Sequence, residues 1–243
     1  MPLPPIAADL CTVVVTGDMR PVEISPDWLR AQRIVSDADL HEEKFELLVP
    51  NEATIFRLGP VKYQAGARGL QLETSDESEF EPMRDLVVDI LTAMPARDVS
   101  QLGINRVVHF SVPNLEVWHS VGDTLVNNSF WDGALNLSGM RSVTYWGVRP
   151  DQYGGRIQVQ IEPSFRYPSS VFLAYNDHYE LTRVESQPQD RNELARAVPP
   201  NVVESAEKIP IAIEILNEAW DESTRRFYTV LERLSNLTET ASG

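Results

Sequence analysis

Apolar and polar positions along the chain form two successive blocks, each a run of β-patterned segments closed by a helix-patterned one. In the first block Thr12–Thr16 is a β-branched run, and Lys44–Val49 and Thr54–Leu58 are short strand patterns divided by the turn-forming Pro50-Asn51-Glu52. Pro26 to Val35, with Trp28, Leu29 and Ile34, predicts a short helix or turn. Val61–Thr74 is long for one strand, and Gly66 and Gly69 interrupt it, so a hairpin or bulge is expected there. Leu70 and Leu72 alternate with Gln71 and Glu73, as in a strand with one wet face. Met83, Leu86, Val87, Ile90, Leu91 and Met94 recur at helical spacing and predict an amphipathic helix over Pro82–Met94. Ser78 to Glu81 fits a capping box at its start, and Pro95 stops it.

The second block opens with a strand pattern at Ile104–Val112. Leu115–Val126 predicts a helix whose core face is Leu115, Val117 or Trp118, Val121 and Leu125. After a turn-rich stretch, Val143–Val148 and Arg156–Ile161 read as an antiparallel pair about Asp151–Gly155, with Ile157, Val159 and Ile161 facing in. Val171–Leu181 is a further strand. A last helix is expected from Pro210 to Leu237, with Leu216, Trp220, Phe227, Val230, Leu231 and Leu234 along one side. The polar, proline-containing segment 183–204 reads as a long loop, either a flap or a partly disordered insert.

Strand runs closed by helices define an α+β fold: a largely antiparallel sheet with two long helices packed on one face. The chain is expected to be a single domain, 1–243. The repeated pattern suggests two similar halves, 1–97 and 98–243, although no identity between them is evident by eye.

Charge changes this picture more than composition does. Formal net charge is -15, and the 21 Lys and Arg form no basic run, which argues against nucleic acid as a partner. Two acidic clusters, Asp37 to Glu46 and Glu73 to Glu81, suit a loop and a helix start. The single Cys11 lies among apolar residues and reads as a buried thiol, which excludes an intrachain disulfide framework and a Cys-based zinc site. Neither a signal peptide nor an apolar run of the roughly 20 residues needed to span a bilayer is evident, so a cytoplasmic protein without membrane partners is expected.

Chemical motifs are sparse. The four histidines, His41, His109, His119 and His178, show no metal-ligand spacing, and nucleophile or phosphate-loop motifs are absent. No catalytic residue, metal or cofactor is therefore assigned. In the strand pattern of Asp177-His178-Tyr179-Glu180, His178 and Glu180 share one face while Asp177 and Tyr179 share the other. In GINRVVHF (103–110), Asn105 and His109 share a face with Val107, and Arg106 falls opposite. An Arg or His inside a sheet needs paired partners, so these residues either hold a polar junction or line a pocket. Asn105, Arg106, His109, His178 and Glu180 are the candidate ligand-binding set. The aromatic middle of the chain supplies candidate interface residues: Trp118, Phe130, Trp131 and Trp146.

GINRVVHF, VFLAYNDHYEL (171–181), the RRFY (225–228) of the last helix and the Pro-Pro opening resemble a sporadically distributed bacterial family of uncharacterised proteins of about this length. The first strand departs from that family's acidic, arginine-bearing version. The resemblance implies an accessory protein without an assigned activity and carries over no catalytic residues. The leading expectation is a non-enzymatic protein that binds a protein partner or itself, as a homodimer. The alternative is an enzyme or small-ligand binder with a polar pocket between sheet and helices.

Overall fold

Nine strands form one antiparallel sheet in the computed structural model, which describes residues 3–42, 44–49, 52–94, 97–190, 192–193 and 203–240. The strands are β1 (Ile6–Gly17), β2 (Lys44–Val49), β3 (Ala53–Leu58), β4 (Val61–Gly66), β5 (Gly69–Thr74), β6 (Val99–Ser111), β7 (Val143–Val148), β8 (Tyr153–Pro163) and β9 (Ser170–Arg183). Among the described residues the helices are α1 (Pro26–Ala31), α2 (Phe80–Ala93), α3 (Leu115–Leu125), α4 (Ile209–Glu218) and α5 (Trp220–Thr240). The fold is α+β.

Strand order is β2-β3-β4-β5-β1-β6-β9-β8-β7. The long strands β1 and β6 pair at the centre, the other early strands lie to one side, and β9, β8 and β7 lie to the other. Register decides which side chains share a face. Val13 sits opposite Leu72 and Ile104, and Val15 opposite Leu70 and Leu102, so these apolar positions line one face together.

That face carries two cores. The first joins Val13, Val15, Leu70, Leu72 and Ile104 to Met83, Val87, Ile90 and Leu91 of α2 and to Ala212, Ile215 and Leu216 of α4. The second joins Val108, Phe110, Leu173 and Tyr175 to Val117 and Val121 of α3 and to Phe227, Leu231 and Leu234 of α5. Each large apolar side chain so buried contributes about 1.5–3 kcal/mol. Alternation then gives the opposite face to polar residues such as Gln71, Asn105, Asn176 and Gln158, whose side chains are half-buried.

The structure departs from the sequence pattern at several points. Val61–Thr74 is the expected hairpin, β4 and β5. The start of α2 is not capped by Ser78. Asp76 instead accepts from the backbone N–H and hydroxyl of Ser78, holding a 3-10 turn at Glu77–Glu79 that leads into the helix. On α3, Leu115 is exposed and only Val117 and Val121 are buried, because the helix meets the sheet through one narrow stripe. The single long helix expected over Pro210–Leu237 is two helices that part at Ala219, a turn residue with φ -103° and ψ -3°. Ala219 and Trp220 are buried in the first core and Phe227 in the second, so the break lies where the chain passes between them. Gly154 and Gly155 belong to β8 rather than to the turn. At Gly155, φ is +123° and a Cβ would lie 2.1 Å from the His178 carbonyl oxygen, so only glycine fits against β9. Within the expected loop at 183–204, residues 191 and 194–202 lie outside the described residues.

Candidate functional site

The sequence-predicted polar residues do not line one cavity. Asn105, His109, His178 and Glu180 stand on the polar face, while Arg106 stands on the helix-bearing face. Even on the shared face the set is spread out. Asn105 sits opposite Asn176, His178 opposite Gly103, and His109 opposite Phe172. His109 is four residues from Asn105 along β6, about 13 Å at the usual strand rise.

His109 makes a local clamp. Its Nδ1 lies 2.9 Å from Ser164 Oγ, and its ring tilts against Tyr167 and Phe172. Ser164 Oγ also accepts the Tyr167 backbone N–H at 3.0 Å, so the hydroxyl organises the β8–β9 turn. The nearby charge that acts on the ring is Arg166, a cation. An activated serine needs a base oriented by an acid, and this arrangement supplies a turn lock instead.

His178 lies across from Arg156, and burial, then the charges of Arg156 and Arg149, lower its pKa below 6.5. Burial and Arg166 lower that of His109 as well. A lowered folded-state pKa means that this contribution to stability is fully present above pH 6.5 and is lost as pH falls through the folded values. Melting temperature should therefore drop as pH falls below 6.5, and His178→Gln should flatten that drop. Burial raises the Glu180 carboxyl, which acts in the opposite sense nearer the carboxylate range, so the informative comparison is the mutant's slope against the wild type's. Equal slopes would refute the assignment.

Two buried ion clusters occupy the helix-bearing face. Arg106 donates from Nη2 to Asp9 Oδ2 at 2.7 Å, and its guanidinium carbon lies 4.3 Å from the ring centre of Phe80 and 4.6 Å from that of Phe227. Arg149 and Asp177, both with fully buried side chains, are paired. Arg149 also holds Asp151 through two nitrogens, at 3.0 and 2.6 Å, and stacks 3.4 Å from the Tyr179 ring centre. Arg226 of α5 reaches Asp177 Oδ2 at 2.8 Å. These charges pair inside the protein and bind sheet to helix. Sequence reading named Arg106 as a candidate and quoted Arg226 only within RRFY, and it singled out neither Asp9 nor Arg149.

The exposed aromatic residues are concentrated elsewhere. Among residues whose side chains are described, every exposed aromatic lies between 130 and 165: Phe130, Trp131, Tyr145, Trp146 and Phe165. Exposure is 75% for Phe130, 65% for Trp146 and 82% for Phe165, and Leu137 reaches 95%. Asn127 caps the 3-10 turn that carries Phe130 and Trp131, accepting from the Ser129 N–H at 3.1 Å. Those two rings pack edge to face at 5.1 Å. The Tyr145 hydroxyl donates to the Leu125 carbonyl at 3.0 Å, which ties β7 to the end of α3, just before that turn. On the polar face, Trp146 donates from Nε1 to Gln158 Oε1 at 2.9 Å, with Arg156 over its ring. Trp118 differs from the other candidate interface residues: it is half-buried against the second core and donates to the Ser170 carbonyl.

Beside this surface, a cavity of about 310 Å³ lies between α3 and the 138–140 segment, lined by Trp118, His119, Met140 and Glu162 among others. Groups of His, Cys, Asp or Glu able to hold a metal ion are absent among the described residues. No helix among them is long and apolar enough to cross a membrane. Comparison with protein-family models and with curated protein sequences gives no match.

Proposed function

We propose that this chain is a non-catalytic, cytoplasmic accessory protein that binds a protein partner and associates with itself. The observation that carries this reading is that, among residues whose side chains are described, the exposed aromatics all lie between 130 and 165 of a chain with net charge -15. Exposed aromatic side chains are frequent anchors of protein interfaces. The alternative, a ligand pocket between sheet and helices, loses its basis because its five residues stand on two faces of the sheet. An accessory role also fits the family resemblance carried by GINRVVHF and RRFY.

A photo-crosslinking amino acid placed at Phe130 or at Trp146 in the producing cell tests this. Protein adducts are expected at both sites and not at Glu218, an exposed control on α4. Equal labelling at all three sites, or none, overturns the proposal.

A further inference from the structure

The sheet has two ends, and they differ in a way that bears on self-association. At one end β2 carries Lys44 and Glu46, and its pairing with β3 shifts register between Phe45 and Leu47. Charge and irregularity are the devices by which an edge strand resists pairing with another chain. At the other end β7, Val143-Thr144-Tyr145-Trp146-Gly147-Val148, carries no charge and no proline, and it pairs with β8 without a register shift. Its four central residues are exposed.

Resting on the reading that this protein associates with itself, we propose that β7 is the self-association site. The β7 strands of two copies pair antiparallel, extending both sheets into one about a two-fold axis. The absence of charge along this edge is what admits a second copy as the occupant. Two bodies of charge -15 repel across most of their surfaces, whereas an uncharged strand lets two identical edges meet without apposing like charges. The protected β2 edge disfavours a head-to-tail array of β7 on β2, so the assembly closes as a dimer.

Alternation fixes the position of the axis. Residues directly opposite in an antiparallel pair share a face of the sheet, so opposed positions must both be odd or both be even. The axis therefore passes beside a residue, never between two, and maximal overlap of this six-residue strand places it at Tyr145 or Trp146.

Light scattering on the eluting full chain should give twice the chain mass for the wild type and the single-chain mass for the double variant Thr144→Lys/Trp146→Lys. Both side chains are exposed, so circular dichroism should be unchanged. As an independent readout, mild oxidation of Tyr145→Cys or Trp146→Cys should yield a covalent dimer for one of the two, whereas Glu218→Cys should not. A dimer that survives the double lysine variant and cross-links at neither β7 cysteine overturns the β7 site while leaving self-association standing. A wild type that stays monomeric at high concentration overturns both.

Discussion

Asp177→Asn should lower the free energy of unfolding by about 3–5 kcal/mol, the largest single-residue effect expected in this chain, read by denaturant titration. Asp177 is fully buried on β9 and faces two guanidinium groups, Arg149 with a fully buried side chain and Arg226 at 2.8 Å. Removing its charge leaves two arginines against Asp151, with an Arg149 nitrogen that has lost its carboxylate. Breaking a buried pair costs far more than never having built it, because the remaining charge stays desolvated. Arg226→Met should cost less, since that side chain reaches partial exposure and keeps only part of its hydrogen bonding. The two substitutions act on one contact, so the double variant should lose less than the sum of the singles. Additivity to within about 0.5 kcal/mol would show that Asp177 and Arg226 do not work together.

Period-two patterning made the sheet legible, and with it the faces. The sequence alone separates Asp177 and Tyr179 from His178 and Glu180, and Arg106 from Asn105 and His109, and the register agrees. Partners across long separations were not legible. Arg106 binds Asp9, which is 97 residues away, and nothing in the local pattern of either strand selects the other. Arg149 falls in a turn, where an arginine ordinarily reads as solvent-exposed, yet the fold closes β9 and α5 over it. The break at Ala219 escaped for a different reason. The apolar stripe continues through it from Leu216 to Trp220, and only the presence of two separate cores shows why the helix divides. The candidate ligand set came from residue chemistry on two strands, and alternation within GINRVVHF already placed Arg106 opposite the rest. Exposure of Phe130, Trp131 and Trp146 was not readable at all, because an aromatic residue in a turn-rich segment packs inward as readily as it stands free.

The second large effect is expected at the seam between the two cores. Arg106→Met should cost about 3 kcal/mol, since it leaves Asp9 on the helix-bearing face without its cation. Arg106 also fills the space between Phe80 of α2 and Phe227 of α5, so its planar group joins the helix of the first block to the last helix. Arg106→Lys should therefore recover only part of the loss: it restores charge but neither the two-nitrogen grip on Asp9 nor the flat surface that stacks on the rings. Asp9→Leu should cost less than Arg106→Met, because the guanidinium keeps its aromatic neighbours, a contact worth up to about 2 kcal/mol when desolvated. The double variant Asp9→Leu/Arg106→Met should regain most of the stability, as apolar replacements of buried pairs do. Denaturant midpoints for the four proteins decide the matter. A double variant as unstable as the sum of its parts would show that Asp9 and Arg106 are not coupled, and that the ion pair is not what joins the seam.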